Sequence, residues 1–134
     1  MKAERLRKVP LFEGLTDHQY ERLERWTDEI DVPTNKHLVN QGAYPHEFMV
    51  IESGTAEVTH DGTHLADLGP GDFFGEMALL LNVPRTATVA ATSDVTLVVM
   101  HDRNFRAMEE EIPLIAERVN AIMEERRAKS ADQG

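Results

Sequence analysis

Arg85 is the sole lysine or arginine between Lys36 and Arg103, in the most acidic third of the chain. Residues 31–101 carry two basic and nine acidic side chains, against six and seven in 1–30 and six and eight in 102–134. The cation stands in Pro84-Arg85-Thr86-Ala87-Thr88, shortly after Phe74-Gly75-Glu76-Met77-Ala78-Leu79-Leu80. The stretch from Glu76 to Leu81 favours a short helix that Pro84 closes. A first helical turn leaves N–H groups without partners, which makes it an anion site, and Gly75 lets a ligand approach the backbone. Arg85, returning just past that helix, could add a charge-assisted, bidentate contact to a phosphate. Glu76 is odd in a site for phosphate alone. A carboxylate only accepts hydrogen bonds, so its natural partner is a hydroxyl such as a ribose 2′-OH. Phosphate donors beside one hydroxyl acceptor imply a sugar phosphate or a nucleotide.

Each of these residues also has an ordinary structural use. An arginine after a proline turn is commonly a solvated surface residue, and Glu76 is a carboxylate that a helix dipole favours. The Thr86 hydroxyl could equally bond its own backbone.

The elements that must position this stretch follow from pattern. With 134 residues and a hydrophobic fraction of 41%, the chain has the size of one domain with a real core. A net charge of −10 argues against general nucleic-acid binding, which needs a basic face. No apolar run approaches a membrane span, MKAERLRKVP lacks the apolar core of a signal peptide, and there are no cysteines for disulfides or thiolate chemistry. A cytoplasmic location is therefore expected.

Met1–Val9 could form a short helix, and Thr16 with Gln19 predicts a capping box, with Leu15 and Tyr20 as a hydrophobic staple. Tyr20, Leu23 and Trp26 then line a core-packing face. From Glu29 the pattern becomes strand-like, with runs at Glu29–Val32, His37–Asn40, Glu47–Ser53, Thr55–His60, His64–Leu68, Ala87–Thr92 and Asp94–His101. Glycine- and proline-rich turns separate them, and Asp61-Gly62 is a strong hairpin signal. Short strands at this spacing predict a sandwich or jelly-roll barrel. Asp102 is the expected cap of a helix to about Glu111, and Pro113 restarts a second one. Ile112, Ile115, Val119, Ile122 and Met123 form its apolar stripe, suited to packing on the barrel or to pairing with a second copy. Residues 130–134 read as a disordered tail.

The run Phe74 to Leu80, with Pro84 to Thr88, resembles the phosphate-binding cassette of cyclic nucleotide-binding domains. That family includes catabolite activator proteins, regulatory subunits of cyclic-nucleotide-dependent kinases, and cyclic-nucleotide-gated channels. Gly42, the Phe48-to-Gly54 strand and turn, and Gly69-Pro70-Gly71-Asp72 stand where the family places its glycine turns. The resemblance spans roughly Leu6 to Ala128. It implies a mainly β fold with flanking helices, a jelly-roll β-barrel (double-stranded β-helix) with N-terminal helices, a short phosphate-binding helix and two C-terminal helices. The implied single domain is 1–129, with N-terminal helices over 1–28, the barrel over 29–101 and lid helices over 102–129.

The resemblance also implies site roles. Arg85 would pair with the cyclic phosphate, Glu76 would accept from the 2′-OH, and Gly75 and Ala78 would offer backbone contacts. Ala87 would let the chain pass close to the phosphate, and Phe74 and Met77 complete the cassette. Val58 and Leu68 fall where the family contacts the purine, although both also suit plain barrel core. Thr86 would reach the phosphate or a guanine amino group, which leaves cGMP open, with cAMP expected ahead of it. Asn120, Met123 and Arg127 are the unranked candidates to cap the base once the C-terminal helices move in.

The expected protein is thus a regulatory sensor with a cyclic nucleotide as ligand, no metal and no catalytic residue, and so not an enzyme. Neither nucleic acid nor membrane is expected as a partner of the domain. A homodimer through the C-terminal helix or an effector protein is. A degenerate domain of the same fold that only binds proteins is one alternative. The other is a cupin-like metalloenzyme using His18, His37, His46, His60, His64 and His101, although none of these forms a His-x-His pair.

Overall fold

Thr16 opens the first full helix. Its hydroxyl accepts from the Gln19 N–H at 3.1 Å, and the Gln19 side chain accepts from the Thr16 N–H at 2.9 Å, closing the capping box. The computed structural model describes residues 2–43, 46–75 and 85–133, with side chains through Arg126. A short helix α1 (Ala3–Leu6) and a 3-10 turn (Pro10–Phe12) precede α2 (Asp17–Trp26). Tyr20, Leu23 and Trp26 are buried on one face of α2, and the Tyr20 hydroxyl donates to the Phe12 carbonyl. The aromatic pair therefore packs the core.

The strands are β1 (Asp28–Val32), β2 (His37–Val39), β3 (Glu47–Ser53), β4 (Ala56–His60), β5 (Thr63–Leu68), β6 (Phe73–Phe74), β7 (Thr88–Ala91) and β8 (Val95–His101). Two antiparallel four-stranded sheets result, in the orders β1-β8-β3-β6 and β2-β7-β4-β5, the arrangement of a jelly-roll sandwich. β3 and β8 are apolar without alternation because both of their faces are covered. Phe48, Val50, Val98 and Met100 belong to the core shared with the helices. Met49, Ile51, Leu97 and Val99 belong to the core between the sheets. Asp61 and Gly62 carry φ of 50° and 80° at the β4–β5 turn, the left-handed pair that the sequence predicts there.

Three local features differ from the sequence expectation. β6 is a strand of two residues, too short to show a period, and it exists because Met49 and Val50 of β3 pair with Phe74 and Phe73. His101, not Asp102, is the N-cap of α3 (Asp102–Glu111), and the Asp102 carboxylate accepts from the Arg103 N–H at 2.6 Å. The last helix α4 runs from Pro113 to Gln133, so the helix continues through most of the stretch read as a disordered tail. Arg126, Arg127, Ala128 and Lys129 just before it, and Ala131 and Gln133 within it, are good helix formers, which extends the helix.

Helices α3 and α4 close on the same side as α1 and α2. Ile112, Ile115, Val119 and Met123 are buried in the core that holds Leu6, Phe12, Leu23 and Phe105. The apolar stripe of α4 is thus covered by its own domain, and pairing with a second copy would have to expose it. Arg22 braces the bundle through two hydrogen bonds to Glu111, at 3.0 and 2.9 Å, and Arg118 donates to the Leu11 carbonyl at 2.9 Å. Among the described residues no helix is long and apolar enough to cross a membrane.

Candidate functional site

Arg85 is one of two polar or charged residues among the described ones that are buried, with 7% of its surface exposed. Its Nη1 donates to the Gly75 carbonyl at 3.0 Å and its Nη2 to the Glu47 carbonyl at 2.6 Å. Burying a guanidinium is costly unless its donors are satisfied, and these neutral carbonyls orient the cation. Its backbone is held as firmly. The Arg85 N–H donates to the Ala43 carbonyl at 2.7 Å, and its carbonyl accepts from the Gly42 N–H at 2.8 Å.

Gly75 makes that approach possible. Its φ is +94°, and a Cβ there would sit 2.5 Å from Arg85 Nη1 and 3.0 Å from the Glu47 carbonyl oxygen. The Gly69–Asp72 turn aims the chain at this point. Gly71 N–H donates to Ile51 O and Ile51 N–H to Asp72 O, both at 2.8 Å, so the turn is fastened to β3 immediately before β6.

The structure brings Gly75, Arg85, Thr86 and Ala87 together, whereas Glu76, Met77 and Ala78 lie outside the described residues. Thr86 is exposed and Ala87 half-buried. Among the described residues the Thr86 hydroxyl makes no hydrogen bond, while its carbonyl accepts from His60 Nδ1 at 2.8 Å. Val58 and Leu68 are half-buried and pack against the core between the sheets. Val58 pairs with Ala66 and Leu68 with Ala56 across the β4–β5 hairpin, which puts Val58 and Leu68 on one face. Phe74 is 6% exposed in the same core, so packing accounts for its side chain.

Of the proposed capping residues, Asn120 is exposed, Met123 is buried in the helical core, and the side chain of Arg127 lies outside the described residues. Sequence inspection missed Arg126. It donates to the Phe73 carbonyl at 2.6 Å, and its guanidinium lies 5.0 Å from the Phe73 ring centroid. It also missed the Glu47 carbonyl and the Gly42-Ala43 backbone, since main-chain groups carry no side-chain signature.

Two other places were candidates for chemistry. Among the described residues no three His, Cys, Asp or Glu side chains group as a metal site. An open groove of ≈ 510 Å³ lined by Asp31, Val32, Pro33, Ser53, Asp94, Val95 and Thr96 contains none of the site residues. Its carboxylates are already engaged, Asp31 by Thr96 at 2.8 Å and Asp94 by Thr34 at 3.0 Å.

Comparison with known proteins gives this arrangement a context. The family model described as "Cyclic nucleotide-binding domain" matches residues 29–111. A cyclic nucleotide-gated potassium channel of Rhizobium etli is 33% identical over 120 residues, covering 89% of this chain and 33% of the channel. A cGMP-dependent protein kinase of Toxoplasma gondii is 33% identical over 88 residues, covering 66% of this chain and 9% of the kinase. The cyclic AMP receptor protein of Thermus thermophilus is 31% identical over 128 residues, covering 92% of this chain and 59% of the receptor. The crystal structure of the catabolite activator protein from that organism superposes with a TM-score of 0.78, at 31% identity over 92% of this chain and 60% of the other. The chain therefore spans less than two thirds of each of these proteins.

Proposed function

We propose that this chain, which belongs to the cyclic nucleotide-binding domain family, takes cAMP ahead of cGMP through Arg85 and its neighbours and passes the signal to its C-terminal helices. The observation that carries this is the burial of Arg85, with its guanidinium aimed by the Gly75 and Glu47 carbonyls. A preset, largely dehydrated guanidinium binds phosphate strongly because little ordering remains to be done when the ligand arrives. Glu76 would accept from the ribose 2′-OH, and the backbone of Gly75 and Ala78 would complete the phosphate contacts, with Met77 between them. Ala87 supplies the small side chain beside them. Val58 and Leu68 offer apolar surface to the purine.

The cAMP-named relative matches over 92% of the chain and the cGMP-named kinase over 66%, which supports putting cAMP first. The contact of Arg126 with Phe73 supports the route to the helices, because β6 runs directly into Gly75. An effector protein would read the resulting helix position, in this chain or in a larger protein that contains it.

Calorimetric titration with cAMP and cGMP, on the wild type and on Arg85→Ala, tests the proposal. Loss of one charge-assisted contact should cost about 1.5–3 kcal/mol, or roughly tenfold to a few hundredfold in affinity. Equal affinities in the two proteins would sink the assignment of Arg85. Tighter binding of cGMP by the wild type would reverse the stated preference.

A further inference from the structure

His60 stands at the end of β4, outside the nucleotide site proposed above. Its Nδ1 is 2.8 Å from the Thr86 carbonyl oxygen, an atom that can only accept, so Nδ1 donates. Its Nε2 lies 3.2 Å from the carboxylate of Asp61, the residue held at φ 50° in the hairpin turn, and donates to it in the imidazolium form, which carries both protons. Asp61 is tied in turn to Gln41. The Gln41 side-chain amide donates to Asp61 Oδ1 at 2.8 Å, and the Asp61 N–H donates to Gln41 Oε1 at 2.9 Å. The Gln41 N–H then donates to Thr88 Oγ1 at 2.9 Å. The chain of contacts closes on itself: Thr86, His60, Asp61, Gln41 and Thr88, with Ala87 bracketed between its two ends.

The two residues after Gln41 are Gly42 and Ala43, whose backbone holds the main-chain N–H and carbonyl of Arg85. One turn and one hairpin tip, distant in sequence, thus grip the backbone of Arg85 and Thr86 and the hydroxyl of Thr88. A main-chain segment that enters a site just before its strand begins has few partners of its own, so outside contacts decide its orientation.

We infer that His60, braced by Asp61 and Gln41, is a positioning residue that orients the Thr86 carbonyl and thereby sets how the Arg85–Ala87 segment meets its nucleotide. This rests on the function proposed above. Fixing the Thr86–Ala87 peptide narrows the directions open to the exposed Thr86 hydroxyl, so His60 tunes both affinity and the choice between cAMP and cGMP. It touches neither nucleotide itself.

The experiment compares the full chain with His60→Leu and His60→Asn by two readouts. One is amide hydrogen exchange of residues 86–88 without ligand, and the other is calorimetric affinity for cAMP and for cGMP. Leucine fills the space without a donor, whereas the asparagine amide nitrogen takes the place of Nδ1. His60→Leu is expected to speed exchange at 86–88 and weaken binding about two- to tenfold, unequally for the two nucleotides. His60→Asn is expected to restore most of both, at an unchanged thermal midpoint. Unchanged exchange in His60→Leu overturns the positioning role even when both nucleotides bind. Equal damage by leucine and asparagine, accompanied by a lower thermal midpoint, assigns His60 to stability alone and also overturns it. If the wild type binds neither nucleotide, the proposed function fails, and with it the ligand half of this inference.

Discussion

Gly75 and Arg85 are matched to each other: the glycine carbonyl takes a hydrogen bond from the guanidinium at 3.0 Å, and the missing side chain leaves the space the guanidinium fills. Either residue alone would be ordinary. Together they hold a buried cation beside a backbone that a ligand can approach.

Gly75→Ala should therefore damage fold and site at once. The alanine would have to adopt φ +94° with its Cβ against Arg85 and the Glu47 carbonyl. A cost of about 1–3 kcal/mol in denaturant unfolding is expected, with Arg85 displaced and nucleotide affinity reduced. Unchanged stability would show that the backbone can relax to a different φ.

Thr86→Ala separates two uses of the hydroxyl. If Thr86 reads a guanine amino group, affinity for cGMP should fall about tenfold while affinity for cAMP stays within about twofold. An equal loss for both nucleotides would point to the phosphate instead. Competitive titration of the two ligands against one fluorescent analogue distinguishes these outcomes.

Arg126→Ala removes the hydrogen bond to the Phe73 carbonyl and the contact over its ring. The last turns of α4 should then open more readily, by roughly 1–3 kcal/mol in local hydrogen exchange. Limited proteolysis should cut within α4 sooner, and the difference between free and nucleotide-bound digests should shrink. A digest that still changes fully on ligand addition would remove Arg126 from the route between site and helix.

Two glutamates of α3 should give opposite pH responses. Hydrogen bonding from Arg22 holds the Glu111 carboxyl below the usual carboxylate range. A carboxylate with a lowered folded-state pKa stabilises above its unfolded value, about pH 4.3, and loses that stabilisation as pH falls through the folded value. Burial instead raises Glu109, only partly offset by Arg106, so its ionisation opposes folding as pH rises. Thermal midpoints should thus fall for Glu111→Gln and rise for Glu109→Gln at neutral pH, with both differences fading in acid. Salt should weaken the Glu111 effect because the pair is exposed.

Much of the fold was legible from residue order because it depends on near neighbours. Thr16 and Gln19 are three residues apart and satisfy each other's backbone groups, whatever packs around them. Asp61-Gly62 turns the chain by its own torsional freedom, and Pro113 restarts a helix where its missing N–H costs nothing. The alternation of faces in β3 and β8 was hidden, since both faces are apolar and only the arrangement of helices and sheets tells them apart. The capping aspartate was misplaced by one residue. His101 takes that position because β8 continues to its end in pairing with Glu47.

By itself the sequence determined that a lone cation would stand after a glycine-led segment within a β-rich domain, since composition, spacing and turn chemistry are properties of the chain. Only the tertiary structure decided what holds that cation. Every residue carries the same carbonyl, and all but proline the same N–H. That Gly75 and Glu47 accept from Arg85, that Gly42 and Ala43 grip its backbone, and that His60 reaches Thr86 across 26 residues follow from packing that brings those groups within reach.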